Sequence, residues 1–256
     1  IIGLGLIGGS IGLATRRYDK KIHIQGFAKS QLTLDIATSR GFVDEAFLNL
    51  RQIDSDTDLV ILASPLSTFK NIVEEILPFL KDDCVITDTG SAKCRVIDEI
   101  ESIIPDNLHF IPGHPIAGTE MSGPESGFEE LFDNRWCILT PSKNTNVHKL
   151  NEIKIFWENL GAMIEIMDPI YHDKVLAITS HIPHLIAFNI VGTANDLANI
   201  NKKEVVKYSA GGFRDFTRIA ASDPVMWRDI FVHNSEAVLE MLNYFCLLYT
   251  SPSPRD

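Results

Sequence analysis

The sequence predicts an α/β fold: an N-terminal doubly wound, mostly parallel sheet followed by a second, all-helical C-terminal domain. Two observations carry this. Short apolar runs of strand length alternate with helical stretches through the first part of the 256 residues, the rhythm of a sheet covered on both faces by helices. After "AMIEIM", residues 162 to 167, the strand signals stop, and long apolar-periodic segments such as "VLAITSHIPHLIAFNIVGTANDLA" take over. The boundary is placed near Asp168, giving a first domain at 1–168, a helical domain at 169–246 and a tail at 247–256.

Taken in order, the expected strands are Ile1–Ile2, Ile22–Phe27, Asp58–Ala63, Cys84–Thr87, Leu108–Ile111 and Trp136–Leu139. The helices between them include Ser10–Arg17, Ser67–Leu80 and Lys93–Ile103. The opening Ile1–Ile2 is shorter than the four or five residues expected of a strand feeding a glycine loop, so the start is expected to be truncated. At the other end "LLYTSPSPRD" breaks from an amphipathic helix into a Ser/Pro-rich polar stretch with no core-building pattern, expected to be a non-native or disordered tail.

Composition narrows the function classes. A chain with 45% hydrophobic and 22% charged residues is ordinary for a globular protein with a real core. No uninterrupted apolar run reaches the ~18 to 20 residues of a spanning helix, and no basic, apolar and cleavage regions mark a leader. A cytoplasmic protein is expected. Cys84, Cys94, Cys137 and Cys246 form no CxxC pair, which suggests free thiols and neither a disulfide framework nor a zinc site. The net charge of -11 argues against nucleic acid or an anionic membrane as a partner. An anionic ligand must be held by a few placed cations.

The first chemical motif is "GLGLIGGS", with Gly3, Gly5 and Gly8 as GxGxxG between a strand and a helix. Gly3 permits the tight turn, Gly5 lets a pyrophosphate approach the backbone, and Gly8 allows close helix–strand packing. With Leu6 and Ile7 between them, this points to a Rossmann-type dinucleotide site. The acidic residue expected about 20 residues on, which would bind the ribose hydroxyls, is replaced by Ala28 in "GFAKS". Ala28 leaves room for a 2′-phosphate, and Lys29 with Ser30 offers a cation and a hydroxyl. The cofactor is expected to be NADP or NAD, leaning to NADP; the competing reading is a solvated loop lysine.

Ligands of an open α/β sheet bind beyond the carboxyl ends of its strands. Those ends carry "ASP" with Ser64 and Pro65, "TDTGSAK" with Ser91, and "PGHPIAG" with His114. Ser91, near the start of a helix, either caps it or bonds a ligand. Pro115 biases His114 towards an extended conformation, so its imidazole projects from a strand end, where a hydride acceptor belongs, and its ordinary pKa suits removal of a hydroxyl proton. In "GGFRDFTRIA", Arg214 and Arg218 are four apart and share a face if helical, with Asp215 as a possible partner; they form either a surface pair or a guanidinium clamp on a carboxylate. "SHIPH" gathers Ser180, His181 and His184, but no third ligand has metal spacing, so no metal is expected.

"GLGLIGGS", "TDTGSAK", "HPIAG", "SHIPH" and "GFRDFTRIAASDPVMWRDI", in this order, resemble the prephenate and arogenate dehydrogenases of tyrosine biosynthesis, from Ile1 to about Phe245. The resemblance implies oxidation of a cyclohexadienol bearing a ring carboxylate, with hydride passing to NAD(P)+ as carbon dioxide leaves and the ring aromatises. It further implies that His114 accepts the ring hydroxyl proton and that Ser91 hydrogen-bonds that hydroxyl. Arg218 would grip the ring carboxylate, with Thr119, Ser180, His184, Gly211, Arg214 and Trp227 completing the pocket. A homodimer through the helical domain is implied as well. Two alternatives stay open on the residues alone: a dehydrogenase of another small hydroxy acid, and a non-catalytic dinucleotide-sensing module.

Overall fold

The computed structural model describes residues 1–119, 121–208 and 210–250, and the side chains of all of these but 197–207, 249 and 250. It divides into two compact units, Ile1–His172 and Asp173–Asp256.

The first unit alternates strands and helices in the expected way. Helix α1 (Leu6–Tyr18) is followed by β1 (Gln25–Phe27), α2 (Gln31–Ser39), β2 (Glu45–Phe47), β3 (Leu59–Leu62), α3 (Phe69–Ile76), β4 (Val85–Asp88), α4 (Cys94–Glu101) and β5 (His109–Ile111). Then come β6 (Gly113–Pro115), β7 (Trp136–Leu139), α5 (Val147–Asn159), β8 (Met163–Ile166) and α6 (Pro169–Leu176). Strands β1 and β2 pair in parallel, as do β3, β4 and β5. Ile2 joins the two sets through parallel bridges to Phe27 and Leu62, so the order across the sheet is β2, β1, Ile2, β3, β4, β5. The order reverses at Ile2, which places the ligand crevice of such a sheet at the glycine loop that follows.

Strands buried on both faces read as continuous apolar runs, and "LVIL" of β3 and "VIT" of β4 satisfy this. One core cluster gathers Ile11, Ile61, Val85, Ile111, Phe132 and Trp157. A second gathers Leu4, Ile24, Leu34, Ala37, Phe42 and Val43. Together they hold α1 and α2 against the strands whose ends carry the site.

Several boundaries depart from the sequence reading. Helix α1 starts at Leu6 instead of Ser10, because Gly5 is its cap and the glycines after it lie inside the helix. Ile1–Ile2 contributes a bridge at Ile2 rather than a ladder. The helix expected over Ser67–Leu80 is α3 flanked by 3-10 turns at Leu66–Thr68 and Leu77–Phe79, the second holding Pro78, which cannot continue an α-helix. Strands β2 and β6 carried no signal of their own, and β6 runs antiparallel to β7, so the arrangement is mixed.

In the second unit α6 runs into a π-turn (Ala177–His181), then α7 (Ile182–Lys207), α8 (Gly211–Thr217), a 3-10 turn (Arg218–Ala221), α9 (Pro224–His233) and α10 (Ser235–Thr250). The helical reading of this region therefore holds, but α10 continues through residues 247–250, which the sequence had assigned to the tail. Residues 251–256 lie outside the described residues. The stretch Pro169–Asp196 has a mean hydropathy of 1.5 over its most apolar window, long and apolar enough to span a membrane. That holds by length and composition only, and Ser180, His181 and His184 interrupt the apolar run.

Candidate active site

The glycine loop forms first because each glycine answers a steric demand. Gly3 has φ of +100°, and a Cβ there would lie 2.6 Å from the Ala63 carbonyl oxygen. A Cβ on Gly8 would lie 1.9 Å from the Gly3 carbonyl oxygen, so the helix packs on its own loop only with glycine there. Around Gly5 a Cβ would meet nothing within 4 Å. Gly5 is the N-cap of α1 and supplies no side-chain cap, leaving the first-turn N–H groups, including those of Leu6 and Ile7, turned to an open space at the positive end of the helix dipole. That combination fits a dinucleotide pyrophosphate.

Beside it, Ala28 is buried at the end of β1, while Lys29 and Ser30 are exposed and Ser30 caps α2 without a side-chain bond. Ser64 shares a 2.8 Å hydrogen bond with Thr68, and Pro65 opens the adjoining 3-10 turn. The segment from Pro124 to Phe128 is held against this edge. Arg40 donates to the carbonyls of Pro124, Glu125 and Gly127, and Phe128 N–H donates to Ser10 Oγ at 3.0 Å. Thr119, exposed, accepts from Met121 N–H at 3.2 Å.

At the ends of β4 and β6 a buried ion pair organises two candidate residues at once. Asp88 and Lys93 are both fully buried and joined by a salt bridge. Asp88 Oδ2 also accepts from Gly90 N–H at 2.8 Å, and its Oδ1 from Gly113 N–H at 3.1 Å. Lys93 Nζ donates to the Gly113 carbonyl at 2.7 Å. Gly90 precedes Ser91 and Gly113 precedes His114, so one carboxylate ties together the loops that carry both. Ser91 itself is half-buried and does not cap α4; the cap falls on Lys93. The capping reading of Ser91 is thus replaced by a loop held through Asp88.

His114 does not project from the end of β5 as expected. It lies within β6, paired with Ile138 of β7, and is buried to 7% exposure. Its Nδ1 lies 2.9 Å from Nε2 of His172, which is fully buried. Asp168 sets the position of His172 by capping α6: its Oδ1 accepts from Ile170 and Tyr171 N–H at 2.9 and 3.1 Å. The sequence reading missed Asp88, Lys93 and His172. A charged pair inside the "TDTGSAK" stretch was the available signal for the first two; His172, 58 residues from His114, gave none.

The second unit gathers another set. Pro183 cannot donate to the residue four before it and would crowd its carbonyl, and the π-turn just ahead of it relieves that conflict. His184 Nδ1 lies 2.9 Å from the Ser180 carbonyl, an acceptor only, so Nδ1 carries the hydrogen and Nε2 is left as an acceptor. The His184 ring stacks on Trp227 with centroids 3.7 Å apart. Burial holds His184 below the ordinary histidine pKa, with the Ser180 carbonyl opposing. Ser180, His184 and Trp227 are therefore brought together. Arg214 lies in α8, whereas Arg218 starts the following 3-10 turn, so no single α-helical face presents the two; both are exposed, as is Gly211. Among the described residues no cluster has a metal-ligand arrangement.

Comparison with known proteins follows the same division. Residues 11–166 match the family model described as prephenate dehydrogenase, nucleotide-binding domain, and residues 168–248 match prephenate dehydrogenase, dimerization domain. The cyclohexadienyl dehydrogenase of Zymomonas mobilis is 38% identical over 245 residues, covering 96% of this chain and 83% of that protein. The crystal structure of prephenate dehydrogenase from Aquifex aeolicus, in complex with hydroxyphenyl propionate and NAD+, superposes with a TM-score of 0.88 at 39% identity, covering 95% of this chain and 85% of that one. Synechocystis arogenate dehydrogenase superposes with a TM-score of 0.78 at 27% identity, covering 97% and 87%.

Proposed function

The chain belongs to the prephenate dehydrogenase family, and from that premise we propose that His114 is the base of its reaction. That reaction is the NAD(P)-dependent oxidative decarboxylation of prephenate, arogenate or both. The observation that carries the proposal for His114 is its setting: a buried imidazole at the carboxyl edge of the sheet, backed at Nδ1 by another imidazole; Nε2 is the nitrogen the proposal assigns to the ring hydroxyl.

The dinucleotide, when bound, supplies the hydride acceptor. Gly3, Gly5 and Gly8 with the N–H groups of Leu6 and Ile7 would hold its pyrophosphate, and Ser64, Pro65 and Ser91 would lie towards its nicotinamide. His114 takes the ring hydroxyl proton as hydride leaves the same carbon. Ser91 fixes the hydroxyl oxygen. The carbonyl so formed is an electron sink: the bond to the ring carboxylate breaks, carbon dioxide leaves, and the proton returns to the phenolic oxygen as the ring aromatises. The protein's part is positioning, a base and charge complementarity. By the family resemblance, Arg218 would supply the cation for the ring carboxylate, and Thr119, Ser180, His184, Gly211, Arg214 and Trp227 would be further substrate contacts.

NADP is favoured over NAD because Ala28 stands where a carboxylate would repel a 2′-phosphate, and Lys29 is exposed beside it. A homodimer through the helical unit is supported by Leu239, Tyr244, Leu247 and Leu248 of α10, all at least 60% exposed. The test is the rise of reduced-nicotinamide absorbance with prephenate and arogenate, each crossed against NAD and NADP. Turnover in the NADP arms above the NAD arms supports the full reading; silence in all four from a dinucleotide-binding protein contradicts it.

A further inference from the structure

We infer that His172 is the positioning residue of the base: it fixes which nitrogen of His114 faces the substrate and stabilises the imidazolium that forms when His114 takes up the proton. The inference rests on the reading of His114 as base. Two imidazoles with nitrogens 2.9 Å apart, Nδ1 of His114 and Nε2 of His172, share one hydrogen between them. If His114 is to accept a proton at Nε2, the shared hydrogen must sit on its Nδ1 and point at a lone pair on His172 Nε2. This arrangement selects the tautomer the reaction requires.

The same contact has a second consequence. When His114 becomes an imidazolium, its Nδ1–H donor carries charge, and the bond to His172 becomes charge-assisted and stronger. The interaction therefore grows as the hydroxyl proton moves, which is the condition for accelerating a step. His172 is suited to this by rigidity. It is fully buried, lies near the start of α6 one turn beyond the Asp168 cap, and meets the His114 ring edge-on, with centroids 5.1 Å apart and planes at 69°. Among the described residues of the first unit, Asp88 and Lys93 lie next to β6 and neutralise each other under Gly113. On the neighbouring β7 the thiol of Cys137 is pushed far above its usual range by burial and stays uncharged. On α6 the cap carboxylate of Asp168 is engaged by backbone N–H groups.

The experiment compares His172→Phe, His172→Gln, His114→Asn and the double variant His114→Asn/His172→Phe, each confirmed to bind dinucleotide, with kcat measured across pH. Phe removes the acceptor; Gln restores one at a similar reach. His172→Phe should lower kcat about tenfold, the difference between an ordinary and a charge-assisted hydrogen bond. Its acidic limb should move to lower pH, because the protonated base has lost a stabilising partner. His172→Gln should recover most of the rate. In the His114→Asn background the Phe substitution should cost almost nothing further in kcat, since the effect of this bond on the rate runs through the base. Equal losses for Phe and Gln, or an undiminished loss in the His114→Asn background, would make His172 merely structural and overturn the inference. Full activity of His114→Asn would instead overturn the reading of His114 as base, a separate result.

Discussion

Replacing Lys93 by Met removes the cation from a site that still holds the Asp88 carboxylate at no exposure to solvent. The aliphatic stem is retained, so little volume is lost. What remains is a buried charge with two amide donors, Gly90 N–H and Gly113 N–H, in place of three donors, and a Gly113 carbonyl deprived of its partner. Breaking a buried pair from one side costs about 3–5 kcal/mol. For a unit of this size that corresponds to a fall in Tm of roughly 6–20 °C. The assay is urea unfolding followed by the fluorescence of Trp157, which is buried in the core beside Phe132. In the surviving folded protein kcat should fall more than dinucleotide affinity, because Ser91 and His114 are the residues next to the glycines that Asp88 holds. Adding Asp88→Asn should recover part of the stability by removing the stranded charge. A loss below about 1 kcal/mol, the size of one ordinary hydrogen bond, with kcat unchanged would refute the reasoning that this pair sets the site.

Three further outcomes are expected. Arg218→Ala should raise the Michaelis constant for the substrate with a smaller effect on kcat, and an unchanged constant would return Arg218 to a surface role. Lys29→Asp should move preference from NADP to NAD, read as the ratio of kcat/KM for the two; an unmoved ratio would show that this loop does not choose the cofactor. His184 is held below its ordinary pKa by burial, so between that lowered value and about 6.5 the unfolded chain carries a proton that the folded chain lacks. Stability should therefore fall as pH drops through about 6.5, and His184→Gln should flatten that fall in unfolding midpoints measured from about pH 7 to 5; an identical slope would contradict it.

How far the sequence could be read depended on whether a signal was local. Strand β7 was legible residue for residue because "WCIL" is apolar and bounded by turns. The glycine loop was legible because GxGxxG demands a particular turn, close approach and packing, and Gly3, Gly5 and Gly8 meet those demands in order. Strand β6 was not, since three residues between Pro112 and Ile116 hold no periodicity and become a strand only by pairing with β7. The Asp88–Lys93 pair was hidden for another reason: a charged pair in a short loop reads as solvated until the fold buries it. His172 could not be read at all, because its meaning comes from a neighbour brought to it by the chain's return through α6.

The central claim is that His114 is the base, and the most direct test is turnover of the His114→Asn variant against the unaltered chain, monitored at the reduced-nicotinamide band with dinucleotide affinity measured in parallel. Removal of a general base lowers rates by about 10²–10⁴, so kcat should fall into that range while the dinucleotide dissociation constant stays within about threefold, since His114 is expected to touch the substrate and not the pyrophosphate. Turnover equal to that of the unaltered chain, with affinity intact, would contradict the account.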